Sequence, residues 1–405
     1  MYQNPPRHDD TLRAQSFVAE PQHAIDHTGG FRTNVSGNGW GVVRPRDARA
    51  FRSISETGGE DLDTGALRRG RQRAPGAGNS HGGVERSTCR IATDGGPRFD
   101  PAVPPGGYLW WYVDAISDDG QFGLTLIAFV GSVFSPYYAW SGRHDPDNHC
   151  ALNVALYGRR GARWAMTERP ASRVTREADA FNVGSSSVHR DGDAIVIRFD
   201  ERGAPFPRRV KGEVRVTPEF MTPDVYEIDS ACQHSWWPIS PRARIEVTCG
   251  APDLSWSGSG YLDMNAGDVP LEETFHSWNW ARAHVGDDAA VLYHVTDTAG
   301  DRSALAVRFD KSGQPERFQA PHEHRLRRTG WWVDRAVTSD SDAAPRVVET
   351  YEDTPFYARS HLHTHLLGHD VDAVHESLAL HRFARPSVKF LLPFRMPRLA
   401  GKPLV

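Results

Sequence analysis

The stretch YLWWYVDAISDDGQFGLTLIAFV, residues 108–130, decides the fold class. Tyr108–Ile116 and Leu124–Val130 are two short apolar runs rich in aromatic and β-branched residues. Between them stands Ser-Asp-Asp-Gly, so the pattern is that of two strands joined by a turn. Similar runs recur at fairly regular spacing and end in turn signals. They are Ala151–Tyr157, Ala194–Phe199, Arg244–Cys249, Ala289–Val295 and Leu305–Phe309. No alternation with long helices is visible, which predicts an all-β sandwich or barrel protein. From Gln121 to Gly142 there is no charged residue, nearly enough length to cross a bilayer. Ser132, Ser135, Pro136 and several glycines interrupt that stretch, so it predicts two buried strands and a turn, not a membrane helix.

Residues 1–97 show no sustained apolar period and are dense in Gly, Pro, Arg, Ser and Asp, as in RGRQRAPGAGNSHGG. Such a segment buries too little apolar surface to offset its chain entropy and is expected to be disordered. Eleven of the 12 tryptophans lie between Trp110 and Trp332, which confines the expected core to that span. Ala194–Pro205 (AIVIRFDERGAP) is echoed by Ala304–Pro315 (ALAVRFDKSGQP). The spacing suits two β modules in tandem, expected at 98–230 and 231–370. For 371–405 the expectation is one amphipathic helix, Asp372–Ala384, stopped by Pro386, and then a basic, apolar tail. From His381 onward that tail carries Arg382, Arg385, Lys389, Arg395, Arg398 and Lys402 and no acid, with Phe390, Leu391, Leu392 and Phe394 among them. Two readings fit it: peripheral contact with anionic lipid, or packing on its own barrel.

The 405-residue chain has a formal net charge of −4 and a pI near 6.5, which argues against nucleic acid as partner. Cys89, Cys150, Cys232 and Cys249 form no C-x-x-C pair, so they read as reduced thiols and not as a zinc or redox site. The first residues lack a charged-then-apolar export signal, and the expected location is the cytoplasmic side, peripherally at the membrane. No P-loop, G-x-G-x-x-G or G-x-S-x-G occurs, so nucleotide cofactors and serine hydrolysis have no support. His361-Leu-His363-Thr-His365 puts three imidazoles on one strand face, but nothing completes a metal shell, and no metal is expected.

The segment richest in chemistry is Gln233–Trp280. Three i, i+2 patterns stand in it: His234 with Trp236, Tyr261 with Asp263, and His276 with Trp278 and Trp280. Residues two apart on a strand share a face, so three strands can line one cavity with rings, imidazoles and a carboxyl group. Gly258 and Gly260 allow a bulge or close approach just before Tyr261. An aspartate buried among rings is kept protonated, and aromatic faces stabilise a cation without attacking it. Such a site suits acid-catalysed hydration of an unactivated alkene. The plainer reading is that the tryptophans fill core and Asp263 caps a turn. Asp268 is a rival acid.

The segments YLWWYVDAISDDG, DNHCALNVALYG, QHSWWP, GSGYLDMNAGDVPLE, FHSWNWAR, EDTPFYARS and LPFRMPR together resemble the carotenoid 1,2-hydratases (hydroxyneurosporene synthases) of phototrophic purple bacteria. The resemblance spans about Phe99 to Arg398. It implies two tandem lipocalin-like β-barrel modules and a hydro-lyase without cofactor. The implied reaction adds water to the terminal C1=C2 bond of neurosporene, lycopene and related acyclic carotenoids, giving 1-hydroxy-1,2-dihydro products. It makes Asp263 the proton donor to C2. Trp236 and Tyr261 are implied to stabilise charge at C1, and His234 to orient or deprotonate the water. Trp278, Trp280 and His276 are expected to contact substrate. A lipocalin-like carotenoid or lipid binder without chemistry is the alternative.

Overall fold

The computed structural model describes residues 96–159, 162–342 and 344–399. The expected disordered stretch 1–97 lies, apart from Gly96 and Pro97, outside the described residues, as do Trp40, Cys89 and Lys402. Among the described residues the first twelve strands are β1 (Tyr108–Ser117), β2 (Phe122–Val130), β3 (Cys150–Gly158), β4 (Arg163–Arg169), β5 (Val174–Glu177), β6 (Ala180–Val183), β7 (Ser186–Asp191), β8 (Ala194–Arg202), β9 (Arg209–Pro218), β10 (Tyr226–Glu227), β11 (His234–Ala251) and β12 (Asp253–Gly267). They form one sheet in the order β4-β3-β2-β1-β12-β11-β9-β8-β7-β6-β5, with β10 added on β11. The sheet curls into a near-closed barrel whose inner face encloses one core, from Trp111 and Leu126 to Ile197 and Met264.

The remaining strands are β13 (Phe275–Val285), β14 (Asp288–Asp297), β15 (Arg302–Phe309), β16 (Pro315–Arg317), β17 (His322–Leu326), β18 (Arg335–Ser339), β19 (Arg346–Asp353), β20 (Tyr357–Leu366) and β21 (His369–Leu378). Seven of them make a second sheet, β16-β15-β14-β13-β21-β20-β19, and β17 pairs with β18 as a separate ribbon. Leu326 and Val337 of the ribbon pack with Ala283, Leu292 and Leu362 on one face of this sheet. Its other face packs against the outside of the barrel, where Trp110, Tyr112 and Tyr261 meet Trp278, Trp280 and Tyr293.

This stacking explains why residues 108–116 read as a continuous apolar run. Leu109, Trp111, Val113 and Ala115 point into the barrel, while Tyr108, Trp110 and Tyr112 point at the second sheet. A strand buried on both faces has no reason to alternate apolar with polar residues. The same two-sidedness on β12 sends Leu262 and Met264 inward and leaves Tyr261, Asp263 and Asn265 on the outer face.

Three expectations need correction. The division placed at residues 230/231 falls inside the first sheet, because β11 and β12 form a hairpin hydrogen-bonded to β9 on one side and β1 on the other. The chain passes to the second sheet between Gly267 and Phe275. The uncharged stretch 121–142 holds one strand and not two: it ends at Val130, and Pro136–Trp140 is a short helix. Ser135 caps it, its Oγ accepting from the amides of Tyr137 and Tyr138 at 3.1 Å each, and Pro136 has no amide to satisfy at the first helical position. The helix expected from Asp372 to Ala384 is mostly strand, since β21 pairs with β13 and β20 through Leu378. Helix is confined to Leu380–Phe383 and Pro386–Leu391, and Pro386 begins the second of these where it was expected to end the first. Among the described residues, no helix is long and apolar enough to cross a membrane.

The close approach expected at Gly258 and Gly260 is present. A Cβ on Gly258 would overlap the Ile116 carbonyl of β1, and one on Gly260 would come within 2.6 Å of the Asp114 carbonyl. Both obstacles are backbone and cannot swing aside. Gly258→Ala is therefore expected to destabilise the fold by about 1–3 kcal/mol or more, read as a lower urea midpoint at unchanged slope.

Candidate active site

Between the barrel and the second sheet lies a cavity of about 430 Å³. Rings of both sheets line it, among them Trp110, Tyr112, Phe129, Trp278, Trp280 and Tyr293, together with the acidic residues Asp263, Glu352, Asp353 and Glu376. The cavity also reaches Trp331, Phe394 and Arg395.

Asp263 is 3% exposed. Its Oδ2 accepts from the Tyr261 hydroxyl at 2.7 Å and from the Trp236 indole at 2.9 Å, and its Oδ1 has no partner. Burial raises the carboxyl pKa well above the usual carboxylate range, against the pull of these two donors, and the negative charges of Glu376 and Asp114 add to the rise. Both donors are neutral, so no cation offsets the desolvation. With Oδ2 occupied twice as an acceptor, the proton belongs on Oδ1. The arrangement is a buried carboxyl group in an aromatic wall.

Tyr261 and Trp236 thus meet Asp263, as expected, but they stand behind its carboxyl and do not line the cavity. The rings that do face the cavity include Trp278 and Trp280, with Tyr112 and Tyr293 beside them. The Trp280 ring is 5.3 Å from Tyr261 and 5.5 Å from Tyr112, and Tyr293 is 5.0 Å from Trp236 and 5.8 Å from Trp278.

His234 is brought elsewhere. It is fully buried near the end of the hairpin, its Nδ1 2.8 Å from the Tyr108 hydroxyl and its Nε2 2.9 Å from Thr274 Oγ1. Burial pushes its pKa down to about 3. Both ring nitrogens are engaged and the ring does not line the cavity, so the water-orienting role expected of it has no geometry here. His276 also departs from expectation. A register shift between Phe275 and Ser277 breaks the i, i+2 rule, and His276 faces solvent, stacked on His381 at 4.0 Å. Asp268 lies just past β12 and does not line the cavity. His361 and His363 turn to Asp372 and His365 to Asp340, and no metal-type cluster occurs among the described residues.

A charged group that sequence reasoning missed adjoins the acid. Asp114 accepts from Arg282 Nε at 2.7 Å and lies 3.2 Å from Arg359 Nη2, while Arg359 also pairs with Glu376. The Tyr112 hydroxyl is 2.9 Å from both Asp114 Oδ2 and Glu376 Oε1. Although fully buried, Asp114 is held below its ordinary pKa by the two guanidinium groups. The one available signal was Tyr112-Val-Asp114, a second Y-x-D sequence like Tyr261-Leu-Asp263. Its charge partners lie 168 and 245 residues further along and leave no local trace.

Comparison with known proteins gives the family. The family Carotenoid hydratase CrtC matches residues 126–404. The chain is 48% identical to the acyclic carotenoid 1,2-hydratase of Rubrivivax gelatinosus over 97% of its own length and 98% of that protein's. It is 46% identical to the enzyme of the same name from Thiocapsa roseopersicina over 91% and 92%, and 38% identical to that from Cereibacter sphaeroides over 68% and 99%. A family match over more than half the chain, and relatives covered almost end to end, leave one assignment: this chain belongs to the CrtC carotenoid hydratase family.

Proposed function

We propose that the protein hydrates the terminal C1=C2 bond of an acyclic carotenoid such as neurosporene or lycopene, with Asp263 as the acid. The observation that carries this reading is the neutral, partnerless Oδ1 edge of Asp263 within an aromatic cavity. Asp263 gives its proton to C2, the positive charge develops at the tertiary C1, and water captures it there to form the alcohol. An unactivated alkene accepts a proton only from an acid still protonated at working pH, which burial provides. The resulting carboxylate keeps two donors, Tyr261 and Trp236, already aimed at it. The faces of Trp278, Trp280 and Tyr293 stabilise the cation, on the order of 2 kcal/mol for a well-placed, desolvated ring. A cavity of this size takes the end of a long polyene and leaves the remainder to run out through the mouth. A carrier without chemistry would also fill an apolar cavity, but it gains nothing from a buried acid whose desolvation is costly.

The same reading includes membrane lipid as the source of substrate. Trp331 and Phe394 line the cavity yet are 50% and 63% exposed, so they mark its mouth. Trp332, next to Trp331 in sequence, and Phe390, whose ring lies 6.3 Å from that of Phe394, are exposed as well, and Arg385, Lys389 and Arg395 belong to the same C-terminal segment. Aromatic rings with cations suit the headgroup level of an anionic bilayer.

Asp263→Asn is expected to abolish formation of the tertiary alcohol while carotenoid binding persists, measured with lycopene in oxygen-18 water. An Asn variant that still makes labelled alcohol at near-normal rate removes Asp263 from the mechanism. The rate of hydration should hold as pH falls through neutrality and decline as pH rises through the elevated pKa of Asp263, because only the protonated form can act. A decline on the acid side, with no loss on the alkaline side, would contradict this. For the mouth, Phe390→Ser combined with Phe394→Ser should reduce cosedimentation with anionic phospholipid vesicles while hydration of detergent-dispersed lycopene continues.

A further inference from the structure

We infer that Glu376 is a second catalytic residue, the base that takes the proton from the water captured at C1. This rests on the hydration reading above and supplies the step that reading leaves open. Water that adds to a tertiary cation becomes an oxonium, and one of its protons must go to a basic group within reach. Asp263 is almost fully buried, and its two donors serve only Oδ2.

Glu376 has the complementary properties. It lies on β21, in the sheet facing the one that carries Asp263, and it lines the same cavity. Its side chain keeps 13% of its surface accessible, so a water in the cavity can rest against it. Its charge state follows from its neighbours. Arg282 and Arg359 are two buried cations, and Asp114 and Glu376 are the two carboxylates paired with them. Neutralising Glu376 would leave one buried guanidinium uncompensated, which is costly, so the resting group is the carboxylate. Burial nevertheless raises its pKa above the ordinary glutamate value, against the pull of Arg359, and this makes it a better proton acceptor than an exposed carboxylate. Acid and base are thus two carboxyl groups of one cavity driven to opposite protonation states, one by neutral donors and one by a guanidinium.

The step balances. Asp263 loses one proton to C2 and becomes a carboxylate. The water oxygen forms its bond to C1, and its surplus proton passes to Glu376. Solvent exchange after product leaves returns a proton to Asp263 and removes one from Glu376. No oxidant or reductant takes part.

The test separates protonation from water capture. Lycopene is incubated with the unaltered protein, Asp263→Asn and Glu376→Gln, with and without sodium azide, an anion that captures the cation at C1 and has no proton to lose. With Glu376→Gln the cation still forms, but captured water finds no base and leaves again. Alcohol formation should therefore fall about 100-fold or more, while azide gives the tertiary azide at a rate within about tenfold of alcohol formation by the unaltered protein. Near-normal alcohol formation by Glu376→Gln overturns the inference and means Asp263 recovers the proton itself. Loss of alcohol with no azide product, in a variant that still binds lycopene, also overturns it. Should Gln at this position prevent folding, Glu376→Asp keeps the charge but withdraws the oxygen, and the same split between azide and alcohol is required of it. If the unaltered protein produces neither product, the hydration reading itself has failed, an outcome distinct from all of these.

Discussion

Two aspartates on adjoining strands show what the rest of this structure is arranged around. β1 and β12 pair so that Tyr112 stands opposite Asp263 and Asp114 opposite Tyr261. The four side chains make a small checkerboard on the outside of the barrel, and each aspartate has a tyrosine hydroxyl two residues before it in its own strand as a neighbour. The difference comes from the second sheet. Toward Asp114 it sends Arg282 and Arg359, and toward Asp263 it sends rings. One carboxyl is therefore held below its ordinary pKa and the other raised well above it, although the local sequences Tyr-Val-Asp and Tyr-Leu-Asp are nearly the same. Desolvation is common to both, and only the presence of a paired cation decides which protonation state results.

This explains why neither module would suffice alone. The barrel supplies Asp263 with its two donors, and the second sheet supplies Trp278, Trp280, Tyr293 and Glu376. The cavity is the space between them. Its aromatic lining suits a hydrocarbon, and through Glu376 it adjoins the cluster of Asp114, Arg282 and Arg359, which keeps charge in a fixed, mutually paired arrangement.

Much of this was legible in the sequence wherever the deciding rule is local. The uninterrupted run at 108–116 announced a strand buried on both faces. Tyr261 and Asp263 share a face because strands have a period of two, and Gly258 and Gly260 announced a tight backbone contact. The failures have equally local causes. A bulge at His276 reversed the parity on which the H-x-W-x-W reading depended. Ser135-Pro136 is a helix start that went unread among strand-forming residues. Residues 372–378 satisfy a helical period about as well as a strand, and only hydrogen bonds to β13 and β20 decide between them. Glu376 and Arg359 could not be singled out at all, because their meaning depends on Asp114, well over 200 residues away. Charge compensation between distant strands has no sequence period.

The bare backbone at Gly258 and Gly260 acts as a keyway for β12 against β1. Because these are the places where β12 has no side chains to foul the carbonyls of Ile116 and Asp114, the strand seats in a single alignment. Sliding by one residue would wedge Ser257 or Ser259 into the slot and swing the carboxyl of Asp263 round into the barrel's greasy interior. Two residues without any reactive group thus decide which way the acid points.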